Sequence, residues 1–160
     1  TKKQYSSTIN TTFHYSDCHV TTYNSKMCTM YDNLPNVCPD LIYLDAPDQF
    51  SPKGTVNGMS LKHSDRLPMA ADILTFEHFL LPGTLIVVDG RTANARFLKN
   101  NFKRRWKEYR DFENDQTVFL LDEKPLGPLF SQLLSFTLAV RVQLLHCPIT
   151  TLSTEVMTGT

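Results

Sequence analysis

Three aspartates stand where a short apolar run gives way to polar residues: Asp45 in Leu44-Asp45-Ala46-Pro47-Asp48, Asp89 in Val88-Asp89-Gly90-Arg91, and Asp17 in Ser16-Asp17-Cys18. A carboxylate just past the carboxyl end of a strand can take a substrate's proton, hold a cation or accept from a ligand's N–H. Open α/β sheets bind ligands along that edge. Aspartate also caps helices and closes Asx turns at such places, so each one alone has a structural explanation. The shared position of Asp45 and Asp89 is what favours chemistry. His63, in the Gly- and Ser-bearing stretch 49–64, adds a group able to take a proton near neutral pH. An exposed loop histidine is its plainer reading. His78 falls beside an apolar stripe and reads as structural, and Gly58-Met59-Ser60-Leu61-Lys62 lacks the second glycine of a hydrolase elbow.

Metal and redox chemistry find less support. Cys18, Cys28, Cys38 and Cys147 are spaced too widely for a zinc knuckle or a redox pair, which points to free thiols in a reducing compartment and a cytoplasmic location. His14, Cys18 and His19 cluster soft ligands but offer no fourth one. The 160 residues carry 16 basic and 16 acidic side chains, so bulk electrostatics does not suggest a polyanion partner. The longest uncharged stretch, 125–140, falls short of the roughly 20 residues a membrane helix needs, and Pro125, Gly127 and Pro128 interrupt it.

These residues must be positioned by regular elements, and the middle of the chain is the most patterned part. Apolar runs at 41–44, 84–88 and 117–121 read as strands. The first two lack polar alternation, as expected of a parallel sheet covered on both faces. Between them Met69, Ile73, Phe76 and Leu80 recur at helical spacing, after a Ser64-Asp65 start and before Leu81-Pro82-Gly83. A second stripe, Ala95, Leu98, Phe102 and Trp106, predicts a helix whose other face gathers Arg96, Lys99, Lys103 and Lys107. With Trp106 as a stacking ring this face could meet a phosphate backbone, although a solvated helix face is the simpler reading. Residues 109–121 predict an antiparallel pair around Glu113-Asn114-Asp115, 12–15 a short upstream strand, and 20–36 a weakly helical stretch. The expected fold is therefore α/β: a Rossmann-like, doubly wound, mostly parallel sheet with a carboxyl-terminal antiparallel strand pair. It occupies residues 1–128, and 129–160 form an apolar, then Thr-rich tail.

The order of these pieces resembles the carboxyl-terminal half of class I S-adenosylmethionine-dependent methyltransferases. The likeness rests on Asp40-Leu41-Ile42-Tyr43-Leu44-Asp45 as the fourth strand and on Pro82-Gly83 before Thr84-Leu85-Ile86-Val87-Val88-Asp89 as the fifth. A helix and a closing strand pair follow, so that residues 12–124 are covered. The Gly-rich turn of the family's donor site has no counterpart among the six glycines, which implies an incomplete version of the fold.

The resemblance implies methyl transfer from S-adenosylmethionine to an oxygen or nitrogen acceptor, a small molecule rather than a nucleic acid. It places Asp17 and Cys18 at the adenine and Asp45 near the donor, and it makes Asp45, Asp89 and His63 the candidates for catalysis. In metal-assisted relatives an Asp after strand four and an Asp-Asn pair after strand five bind magnesium. Here Gly90 replaces the Asn, with Asn94 a turn further on, so magnesium is a weaker expectation. Base-modifying relatives carry two prolines and an aromatic ring in the loop that Asp45-Ala46-Pro47-Asp48 fills, a poor match. The competing reading is a catalytically silent α/β interaction module. Without a neighbouring first strand, the 41–44 strand would leave an open sheet edge, an invitation to form a homo-oligomer.

Overall fold

The computed structural model describes residues 11–45, 47–125 and 127. The compact unit that ends at Asp122 holds every regular element among them. The expectations for residues 129–160 lie outside the described residues.

The chain opens with a hairpin, β1 (Cys18–Tyr23) and β2 (Lys26–Tyr31), turned through Asn24 and Ser25. Both turn residues have positive φ, 49° and 62°, the conformation that matches the twist of a two-residue hairpin. Residues 12–15, expected to form a strand, carry no regular structure, and the hairpin replaces the weak helix expected at 20–36. Alternating Val20, Thr22 and Thr29, Tyr31 about an Asn-Ser turn is the signal that identifies it.

The main sheet holds β3 (Leu41–Leu44), β4 (Leu85–Asp89), β5 (Trp106–Asp111) and β6 (Gln116–Leu121) in the order β3-β4-β6-β5. Of the three pairings only β3–β4 is parallel, whereas β6 is antiparallel to both its neighbours. The helices are short: α1 (Asp72–Phe76), which continues as a 3-10 turn Glu77–Phe79, and α2 (Thr92–Asn101). This corrects the expectation of a doubly wound, mostly parallel Rossmann-like sheet. The physical reason lies in the side chains of the strands. Ile86, Val88, Phe119 and Leu121 are buried, while the alternate residues Leu85, Val87, Val118 and Leu120 are half-buried. A one-sided pattern of this kind suits a largely antiparallel sheet. The buried face joins Ile73, Leu74, Leu80, Ala95 and Leu98 in one core, and Phe102 stacks on Trp106 and meets Phe119 edge-on.

Both predicted helices are cut short by specific hydrogen bonds. Residues 69–71 do not coil, because Thr29 N–H donates to Met69 O and Ala71 N–H to Thr29 O, a parallel bridge to β2. The buried Asn94 amide holds the same segment from the other side, accepting from Ala70 N–H at 2.7 Å and donating to Ala70 O. Helix α2 stops at Asn101, and Trp106 belongs to β5. Beyond the helix the fully buried Glu77 carboxylate captures the N–H groups of Lys103 and Arg104 and the Trp106 indole N–H, all within 3.1 Å. The Arg104 guanidinium donates to Glu77 O and Leu80 O. Before β4, Pro82 and Gly83 (φ +90°) make the tight turn, closed by Thr84 N–H on Leu81 O.

Glu77→Ala strips the buried acceptor from three partly buried donors, and it is expected to cost about 3 kcal/mol in urea unfolding. Glu77→Gln, which keeps the oxygen that receives most of these bonds, costs less. A loss below about 1 kcal/mol in the alanine variant would show that the turn is held by other contacts.

Candidate functional site

Parallel pairing sets the geometry of the acidic edge. Leu44 lies opposite Val88, so the next residues, Asp45 and Asp89, emerge side by side at the carboxyl ends of the two strands. Side chains then cross between the strands. Tyr43 on β3 donates its hydroxyl proton to Asp89 Oδ2, and Gln116 Nε2 donates to Asp89 Oδ1 at 3.3 Å. Arg91, just past β4, reaches back to Asp45, Nη2 to Oδ1 being 3.6 Å. The side chain of Asp45 is 67% exposed, which leaves it open to an incoming group, whereas Asp89 is clamped. The Tyr43 phenol is pushed up to about 12, chiefly by its hydrogen bond to Asp89 and then by burial. Gly90 turns away with φ +58° and donates its N–H to Asp115 O, a conformation that suits glycine where the metal-assisted pattern has Asn.

Tyr43, Arg91 and Gln116 were not singled out from the sequence. Tyr43 sits two residues before Asp45, on the strand that precedes it, and Arg91 two residues after Asp89, in the turn that leaves β4; Gln116 is brought to Asp89 through the β4–β6 pairing.

Asp17 and Cys18 sit elsewhere, at the start of the hairpin. Asp17 accepts from Lys53 Nζ at 2.7 Å and from the Tyr15 hydroxyl at 3.1 Å, and these bonds hold its carboxyl below the usual range. Cys18 is buried, and desolvation followed by the charge of Asp72 pushes its thiol up to about 11. Beside it the half-buried Tyr31 phenol is raised by burial, and also by the charges of Cys18, Asp72 and Asp45. Asp72 is itself raised by burial while it accepts Tyr31 N–H at 2.8 Å.

His63 joins neither aspartate. Its contacts are local: its N–H donates to Leu61 O, and its ring Nδ1 accepts from Asp65 N–H at 3.2 Å and lies 3.7 Å from the Asp65 carboxylate. His78 is exposed rather than packed in the core. The second half of a magnesium set does not assemble around Asn94, whose amide is committed to Ala70. Among the described residues no group of three His, Cys, Asp or Glu side chains could hold a metal ion. Two of the four basic-face residues are engaged by acids: Lys99 pairs with Glu108, and Lys107 pairs with Asp122, which Arg105 also meets. Trp106 points its N–H at Glu77 rather than offering a free stacking ring. Among the described residues no helix is long and apolar enough to cross a membrane.

Comparison with known proteins adds no family: no protein-family model, curated protein or solved structure matches the chain.

Two outcomes test this geometry. Because the folded Tyr43 phenol titrates above its unfolded value of about 10, its hydrogen bond stabilises the fold below that pH. The contribution is lost as pH rises toward 12. In Asp89→Asn the Tyr43 carbon resonance should titrate lower, closer to an ordinary tyrosine; an unmoved midpoint contradicts the pairing. Among the described cysteines, exposed Cys38 should alkylate readily, whereas Cys18 and Cys28, both buried and pushed up to about 11, should react only on unfolding. Prompt labelling of either in the folded chain contradicts their burial.

Proposed function

We propose that this chain takes part in methyl transfer from S-adenosylmethionine to an oxygen or nitrogen nucleophile of a small molecule. The observation that carries the reading is the side-by-side emergence of Asp45 and Asp89 at the ends of the parallel strand pair, tied across by Tyr43 and Arg91. The two segments involved are the ones on which the resemblance to class I methyltransferases rests. The free thiols favour a cytoplasmic setting.

The fit to the donor is confined to this edge. When bound, the donor supplies an electrophilic methyl group. Asp17 and Cys18 do not fit the adenine contact, since the first is engaged by Lys53 and Tyr15 and the second is buried. Asp45 is the exposed carboxylate able to accept the proton of an acceptor hydroxyl or amine, and Arg91 steadies one of its oxygens. Asp89, restrained by Tyr43 and Gln116, orients rather than moves. Magnesium would find two carboxylates here and no amide from Asn94, so no step is assigned to it.

A second reading, an interaction module without catalysis, is favoured by β3. No strand covers its outer edge among the described residues, and an apolar groove of about 730 Å³, lined by Leu34, Val37, Leu41, Phe76 and Phe79, lies beside it. A calorimetric titration of the folded chain with S-adenosylmethionine and its demethylated product separates the two. Saturable binding that survives Asp17→Ala and weakens at least tenfold, about 1.4 kcal/mol, in Asp45→Ala supports methyl transfer. A folded chain that binds neither compound leaves the interaction module.

A further inference from the structure

The two edges of the main sheet differ in kind. β5 ends the sheet with Lys107, Glu108, Arg110 and Asp111, charges of the sort that keep an edge from pairing with another chain. Among the described residues β3 ends it with Leu41-Ile42-Tyr43-Leu44, which has no charge, proline or bulge between Asp40 and Asp45. The side chains of Leu41 and Tyr43 share one face and are 56% and 57% exposed. An edge built this way is a template for a strand.

The hydrogen bonds already made decide which strand. Leu85 N–H donates to Asp40 O, and the parallel ladder pairs Leu41 with Leu85 and Tyr43 with Val87. In such a ladder alternate residues turn their backbone groups to opposite sides. Asp40, Ile42 and Leu44 therefore face β4, and the N–H and C=O groups of Leu41 and Tyr43 point outward.

We propose that the β3 edge pairs antiparallel with β3 of a second copy of this chain, about a twofold axis through Ile42. The inference rests on the second reading above and names its partner. In this register Leu41 lies opposite Tyr43 of the second copy, and the outward groups of the two residues satisfy each other in both directions. The pair is apolar against aromatic, a favourable cross-strand combination. Asp40 falls opposite Leu44 of the second copy and Asp45 opposite Pro39, so no carboxylate meets another. A shift of one residue would set Asp40 against Asp45 and oppose outward groups to inward ones. A shift that set Leu41 opposite itself would place Tyr43 against Pro39, which has no N–H to give. The strand is self-complementary in the Ile42 register and frustrated in those two neighbours. The symmetric, isologous contact also closes on itself and does not propagate.

Sedimentation and light scattering of the full chain over a concentration series should give a dimer. Leu41→Lys, which places a charge on an exposed position of the edge, should weaken it at least about tenfold with an unchanged circular dichroism spectrum. Register is read by crosslinking in a Cys38→Ser background. Ile42→Cys should oxidise to a disulfide-linked dimer, because non-hydrogen-bonded antiparallel partners sit about 4.5 Å apart at Cα, within disulfide reach. Leu44→Cys, opposite Asp40, should not. A monomer at all concentrations, a dimer indifferent to Leu41→Lys, or equal crosslinking at both positions overturns the proposal. Protection of the Leu41 and Tyr43 amides in a monomer overturns it too, and assigns the edge to the chain's own residues. None of these readouts depends on binding S-adenosylmethionine, so this inference and the methyl-transfer reading can fail separately.

Discussion

The Glu77 carboxylate is the point on which the arrangement of the elements turns. It sits fully buried at the end of α1 and is neutralised by donors that come from the far side of α2: the N–H groups of Lys103 and Arg104 and the Trp106 indole. A buried carboxylate without such donors would be costly, so the stretch after α2 is obliged to bend back to it. That bend ends the helix, aims β5 along β6 and sets Phe102 and Trp106 against Phe119. Arg104 completes the junction by satisfying the carbonyls of Glu77 and Leu80 at the end of the 3-10 turn. A helix end with carbonyls short of donors and a buried acid would otherwise be two separate penalties. Here each resolves part of the other.

Asn94 plays the corresponding part for the hairpin. Its amide imitates a strand neighbour for Ala70, so that residues 69–71 are held between α2 and β2, and Thr29 completes the bridge. Lys26 reaches Asn101, and Asp72 accepts Tyr31 N–H. Side-chain amides and carboxylates thus connect the hairpin to the rest of the unit, with Cys28 and Ala71 supplying the apolar contact. The acidic edge is the place where such bonds are not saturated. Asp89 is enclosed by Tyr43 and Gln116, while Asp45 has, among the described residues, the long contact to Arg91.

Several features were readable in the chain because they depend on neighbours in sequence. The β3 and β4 runs, the Pro82-Gly83 turn, the start of α2 and the hairpin around Glu113–Asp115 follow from local apolar patterning and turn chemistry. Asp45 and Asp89 were recognisable for the same reason, since each directly follows its strand. The errors share another origin. The stripe Met69, Ile73, Phe76, Leu80 does have helical spacing, yet Thr29 and Asn94 claim the first residues for extended structure. Trp106 fits the stripe of α2 equally well, yet Glu77 draws it into β5. Asp17 was placed by its position after an expected strand and His63 by its loop, and in the fold their neighbours are Lys53, Tyr15 and Asp65.

Periodicity and turn residues by themselves marked the strands β3, β4 and β6, the turns at Pro82-Gly83 and Glu113–Asp115, and the two carboxylates that follow the parallel pair, because these are properties of a few consecutive residues. The tertiary structure alone decided that the sheet is mixed and one-sided, that β3 lies at its edge among the described residues, and that Tyr43 and Arg91 bridge the aspartates. Those outcomes depend on hydrogen bonds between residues tens of positions apart. A buried polar group must find its partner wherever the chain can bring one, and local sequence does not record which partner that will be.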